Sequence, residues 1–269
     1  MEAGQGSVND GSAWQTSAPV TVCLLGNFRL FKGNQPIAVR NNGKMEALLC
    51  TLALRGEQGI PRDQLLQAIW PESDNSTLAG QALHSLVHYL HKSLGGIIGA
   101  APILHVDGYY CLNTQSGIAV DVGQFEALIN AANRDWRAGK YPSAVELYRH
   151  ALDLYRGDLC SSTTIHALVE RERLRALHLT VLARVADFYF ADEDYAGCLD
   201  YASRLLRFDP CREDAHRFMM RCYVRLGERA QALRQYRLCA AVLQAEFEAT
   251  PELATTALFH SIQSDPGSV

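Results

Sequence analysis

The chain has no run of eighteen consecutive apolar residues, and residues 1–19 lack a basic start followed by an apolar core. Neither a membrane span nor a signal peptide is therefore expected, which predicts a cytoplasmic protein with no membrane partner. The eight cysteines, at 23, 50, 111, 160, 198, 211, 222 and 239, never lie closer than eleven residues. That spacing fits neither a disulfide framework nor a zinc site and predicts reduced, mostly buried thiols. The motifs GxxxxGK[ST], GxSxG and HExxH are absent, so no catalytic residue, metal ligand or cofactor is assigned and no enzyme is expected. Positive charge is also scarce: residues 20–118 hold seven Lys/Arg against six Asp/Glu, and residues 119–269 hold eighteen against twenty-one. Neither segment has the basic balance of a strongly electrostatic nucleic-acid binder.

What is present suffices for two hydrophobic cores, since 48% of the 269 residues are apolar. Residues 1–19, rich in Gly, Ser, Gln and Asn and without periodicity, read as a flexible tail. From Val20 the run VTVCLLGNFRLFKGNQPIAV predicts a small β-platform, with Gly33-Asn34 as a tight hairpin turn. KMEALLCTLAL, from Lys44, predicts a helix stopped by Gly56 and Gly59, and Pro61 opens a second helix, RDQLLQAIW. After the polar stretch PESDNST, Leu83, Val87, Leu90 and Leu94 mark the buried stripe of a third helix, with Gly95-Gly96 as its stop. ILHV and YYCL flank Asp107-Gly108, a dipeptide suited to a tight hairpin. Three helices followed by a hairpin describe a winged helix-turn-helix over 20–118.

Beyond Val120 the pattern is helical, with breaks near Gly139, Gly157, Asp192–Asp194, Pro210, Gly227 and Pro251. Tyr189, Cys198, Leu199 and Ala202 are matched thirty-four residues later by Tyr223, Ala232, Leu233 and Tyr236, the period of a tetratricopeptide repeat. Gly139, Tyr141, Ala144, Tyr148 and Ala151 fit the second-helix half of the same pattern. The expected fold is thus mainly α: a winged helix with a β-platform and hairpin wing, then an all-α tetratricopeptide-like domain over 119–265. Tyr148, Tyr189, Tyr223 and Tyr236 are expected to pack between helices.

The ordered set LLGNFRLFKGNQPIAV, QAIWPE, LHSLVHYLHKSLG, GYYCL, VDVGQFEAL, LYRGDL, the long run from RLLRFDP to AAVL, and ATPELATTALFHSI resembles the SARP (antibiotic regulatory) type of bacterial activators. The resemblance spans about residues 20–263. It implies an OmpR-type winged helix followed by a bacterial transcriptional activation domain, binding to direct repeats near promoters, and contact with RNA polymerase.

In such a motif the third helix enters the major groove, so the face opposite its leucine stripe carries the candidate DNA contacts. At about 100° per residue this face holds Gln81, His84, Ser85, His88 and Lys92, flanked by Tyr89 and His91. Family members usually carry several arginines there, whereas only Lys92 is a fixed cation in this helix. The wing has His105 and Asp107 where a basic residue is expected, which lowers the expected non-specific affinity. His84, His88 and His91 share an arc that would suit a metal, yet no Cys or carboxylate is placed to complete four ligands. Arg217, Arg221 and Arg225 form either a stripe for an anionic ligand or protein partner, or solvated surface paired with Glu213, Asp214 and Glu228. Two functions remain: a DNA-binding activator that pairs two copies on tandem sites and contacts RNA polymerase, and an adaptor that keeps the winged-helix shape for protein or small-ligand interaction.

Overall fold

The structure, a computed structural model, describes residues 18–38, 43–73, 75–159, 165–265 and 267. The tail expected over 1–19 lies outside the described residues except for Ala18 and Pro19, and so does Cys160. Strands β1 (Val20–Cys23), β2 (Arg29–Lys32) and β3 (Gln35–Pro36) come first. Helix α1 (Lys44–Arg55), strand β4 (Ile60–Pro61) and helices α2 (Arg62–Ile69) and α3 (Ser76–Ile98) follow. Next are β5 (Ile103–Val106), β6 (Tyr109–Leu112) and β7 (Ile118–Val120). The remaining helices are α4 (Asp121–Arg137), α5 (Tyr141–Leu154), α6 (Ile165–Ala191), α7 (Tyr195–Phe208), α8 (Glu213–Arg225), α9 (Arg229–Phe247) and α10 (Leu253–Ser264). Two compact units result: one comprises the residues up to Ala127 with Asp153–Glu172, the other Leu128–Leu152 and the residues from Arg173 onward.

In the first unit a sheet of order β3-β2-β1-β7 pairs β1 antiparallel to β2, Val22 opposite Leu30, and parallel to β7, Val20 opposite Ile118. A strand with neighbours on both sides has no solvated edge, and all four β1 residues are buried. The boundary expected at 118/119 falls inside β7, because a parallel partner nearly a hundred residues away leaves no local pattern. Asp121 directly after β7 clips the sheet to the next turn of chain. Its carboxylate, 2% exposed, accepts the N–H groups of Leu24 and Leu25 at 2.9 Å and of Val122 at 2.8 Å. Burial pushes its pKa up to about 6, against the pull of those three donors. The segment from Asp153 joins this unit through a bridge between Leu25 and Leu159 and a Gly26 N–H bond to the Asp158 carbonyl at 3.0 Å.

The second sheet has order β4-β6-β5, so the expected wing hairpin gains a third strand, with Ile60 opposite Tyr110. Leu48, Leu49 and Leu52 of α1, Leu65 and Ile69 of α2, and Leu83, Leu90 and Leu94 of α3 are at most 2% exposed and form the core. Helices α1, α2 and α3 with this hairpin make the winged helix-turn-helix.

The described residues of the second unit form helices joined by short turns, with no strand among them. Cys198 and Ala202 of α7, Ala215 of α8, and Ala232 and Cys239 of α9 are completely buried; small side chains at these positions let paired helices approach closely. Of the four repeat tyrosines only Tyr148 is fully buried. Its hydroxyl donates to Asn133 Oδ1 at 2.6 Å and receives Arg184 Nη1 at 2.8 Å. Tyr189 stacks on Tyr201 and Tyr236 on Phe259, with centroids 5.4 and 4.0 Å apart, while Tyr223 packs against Met220, Ala232 and Ile262. These three are half-buried and close seams between helices. Among the described residues no helix is long and apolar enough to cross a membrane, and every described cysteine is a free thiol.

Candidate nucleic-acid interface

Helix α3 starts where Asn75 caps it: the side-chain oxygen accepts the N–H groups of Thr77 and Leu78, each at 3.1 Å. Its buried stripe is Ala79, Leu83, Leu86, Leu90 and Leu94. Leu86 takes the place expected for Val87, which is half-buried. On a wheel of about 100° per residue the two flank the stripe at similar angles, so periodicity alone does not choose between them. The helix also runs through Gly95-Gly96 to Ile98. A helical glycine costs only about 1 kcal/mol relative to alanine, and the stop comes at Gly99, where φ reaches 69° and the N–H bonds the Gly95 carbonyl at 2.9 Å.

Opposite the stripe, Gln81, His84, Ser85, His88 and Lys92 are brought together on one exposed face. Ser85 is partly committed, because its hydroxyl donates to the Gln81 carbonyl at 3.0 Å. Tyr89 is half-buried at the edge of the face. His91 does not join it: the ring is half-buried, and its Nε2 donates to the Ile103 carbonyl at 3.1 Å, tying α3 to wing strand β5. A carbonyl cannot donate, so this bond places the proton on Nε2.

A second cation stands beside this face. Arg62, the first residue of α2, lays its guanidinium on Gly80, where an added Cβ would lie 2.1 Å from Nη2. Only glycine permits that approach. Arg62, Ser76, Thr77, Gly80, Gln81 and His84 line an open cleft of about 380 Å³ at the start of α3. The Arg62 backbone N–H bonds the Gly108 carbonyl of the wing turn at 3.2 Å, which sets the wing tip beside the same end of α2. Sequence reasoning missed Arg62; the signal available was an arginine directly after Pro61 with one small residue at position 80 in the next helix.

The wing tip is apolar and acidic. Val106 and Tyr109 are about half-exposed or more, Asp107 occupies the turn with φ 51°, and His105 stacks on Tyr110 with centroids 4.2 Å apart. Among the described residues Lys92 is the only Lys or Arg within α3 and Arg62 stands beside the start of that helix, with Asp63 paired to Arg62 at 3.6 Å. Among the same residues no group of three or more His, Cys, Asp or Glu could hold a metal.

Residues 120–263 match the family described as bacterial transcriptional activator domain, which is more than half of the chain. The chain belongs to the bacterial transcriptional activator domain family. It is 26% identical over 245 residues to the regulatory protein AfsR of Streptomyces coelicolor, covering 90% of this chain but 24% of AfsR. It is also 26% identical to the regulatory protein DnrI of Streptomyces peucetius, covering 86% of this chain and 91% of DnrI. The SARP-type resemblance holds with both. Mycobacterium tuberculosis EmbR, solved in complex with a low-affinity phosphopeptide, shares the fold with a TM-score of 0.76 at 22% identity, over 91% of this chain and 65% of EmbR. The chain spans about a quarter of AfsR and about two-thirds of the EmbR structure.

Within the transcriptional activator domain the Arg217, Arg221, Arg225 series is not a uniform free stripe. Arg217 donates to Thr255 Oγ1 at 2.8 Å and pairs with Glu252 at 3.4 Å, pinning α8 to α10. Two of the acids expected to neutralise the series have hydrogen-bonded partners outside it: Glu213 accepts the Glu252 N–H at 2.9 Å, and Asp214 pairs with Arg212 while still lying within the field of Arg217. His216 lies buried between them and α9. Its Nε2 donates to the Pro210 carbonyl at 2.9 Å and its Nδ1 accepts from the Gln235 amide at 2.7 Å. Burial pushes this imidazole below its ordinary pKa, which keeps it neutral.

Proposed function

We propose that the chain is a DNA-binding transcription activator and not an enzyme. The supporting observation is the third helix of a winged helix-turn-helix presenting Gln81, His84, Ser85, His88 and Lys92 to solvent on one face. Gln81 can read a base edge with paired donor and acceptor, and the two histidines and Ser85 can bond bases or phosphates. Lys92 at one end of the face and Arg62 at the other neutralise backbone phosphates and set the register of the helix in the groove. Two fixed cations give a modest electrostatic grip, so tandem copies on repeated sites supply the remaining affinity. The activator domain then contacts RNA polymerase or the second copy, and the protein acts in the cytoplasm.

The test is transcription reconstituted with purified polymerase from promoters neighbouring the gene. The chain should raise output, and Arg62→Ala and Lys92→Ala should each reduce it while leaving the helical content intact. Output that ignores the chain or both substitutions would reject the proposal. An adaptor is the second reading, favoured by the cation-free wing tip of Val106, Asp107 and Tyr109.

A further inference from the structure

A cleft of about 360 Å³ opens in the first unit between α1, α2 and the first turn of α6, away from the α3 face. Its walls include Leu54, Ile60 and Ile165, and Ile165 is 82% exposed at the rim. Arg55 contributes a fixed cation, and no acidic residue is among the described residues that line the cleft. Three polar atoms of lining residues are buried without a hydrogen-bond partner: Thr51 Oγ1, Arg55 Nε and His166 Nε2. Thr51 itself is 7% exposed.

Buried polar groups are ordinarily satisfied, and each unmade bond costs about 1–3 kcal/mol. Three such atoms around one apolar cleft are therefore unusual for a surface that serves packing alone. A volume near the lower end of ligand pockets, apolar walls and a few convergent polar groups are the features of a small-molecule site. The cation with no carboxylate beside it sets the sign of the occupant.

We propose that this cleft binds a small carboxylate with an apolar body. The Arg55 guanidinium holds the carboxylate, the Thr51 hydroxyl and the His166 ring turn to supply neutral partners, and the apolar body lies along Leu54, Ile60 and Ile165. The site is separate from the DNA face and stands whether or not the chain binds DNA.

Calorimetric titration of the full chain with octanoate, 1-octanol and acetate tests it. Octanoate should bind saturably at one per chain, with 1-octanol and acetate at least about tenfold weaker, because each lacks one half of the recognition. Arg55→Met should weaken octanoate by about tenfold. Thr51→Val should also weaken it, yet leave the thermal midpoint of the free chain unchanged or raised, since the hydroxyl it removes has no partner there. Equal affinity for octanoate and 1-octanol, many octanoates per chain, or an Arg55→Met variant that binds like the parent would overturn the proposal. The comparison of the three probes uses the unaltered chain, so the outcome does not depend on the variants folding.

Discussion

Replacing Gly80 by alanine should make the protein more stable and a weaker DNA binder. Gly80 lies inside α3, where alanine in place of glycine gains about 0.5–1 kcal/mol of helix stability. The new Cβ would lie 2.1 Å from Arg62 Nη2 and 3.3 Å from Cζ. Both atoms belong to the end of a flexible side chain that is 44% exposed, so the guanidinium swings away at little cost. The thermal midpoint should then rise by a few degrees, on the scale of about 2–4 °C per kcal/mol for a unit of this size. DNA affinity should fall because Arg62 loses its place beside the cleft. One lost phosphate contact lowers the slope of log K against log salt by about one. Arg62→Ala should reproduce that slope change without the gain in stability, and the double variant should bind no more weakly than either single one, since both remove the same contact. Thermal melts and binding isotherms at several salt concentrations measure both halves. A lower melting point for Gly80→Ala, or DNA binding equal to the parent, would refute the role given to Arg62.

Leu90→Ala should cost about 2–5 kcal/mol in urea unfolding, because Leu90 is 1% exposed at the centre of the α3 stripe; a cost below about 1 kcal/mol would mean the helix is faced wrongly. Asp121 has a folded pKa of about 6 against 3.8 for an ordinary aspartate, so the folded state holds the proton more tightly. Its contribution is fully present below about pH 4 and declines as pH rises through 6, by ~3 kcal/mol at most. Urea unfolding at pH 4.5 and 7.5 should show this decline in the parent and not in Asp121→Asn. His88→Arg adds a fixed cation to the candidate α3 face, so it should raise DNA affinity and steepen its salt dependence, while His88→Ala should weaken binding without disturbing the fold. Binding isotherms unchanged in both variants would remove His88 from the interface.

Local patterns carried much of the architecture. The leucine spacing of α3, the Asp107-Gly108 turn and the thirty-four-residue recurrence each depend on residues close in sequence, and each names an element that is present. What escaped was set by contacts across the chain. Strand β7 exists by pairing with β1, the Asp153–Glu172 segment joins the first unit partly through Leu25 and Leu159, and Arg62 meets Gly80 from another helix. The same holds within the candidate face. Helical angle placed Gln81, His84, Ser85, His88 and Lys92 together, but His91 was drawn off by the Ile103 carbonyl of β5, which no helical wheel contains. Arg217 likewise takes its direct partners, Glu252 and Thr255, from the start of α10 and not from the acids nearer in sequence.

The most direct test of DNA binding is a salt series with the promoter DNA nearest the gene and an unrelated fragment of equal length. A marked preference for the promoter fragment is expected, with a shallow salt dependence per chain, because Lys92 is the only Lys or Arg within α3 and Arg62 flanks its start. No binding to either fragment even at low salt would contradict DNA binding by this chain and leave the adaptor reading in its place.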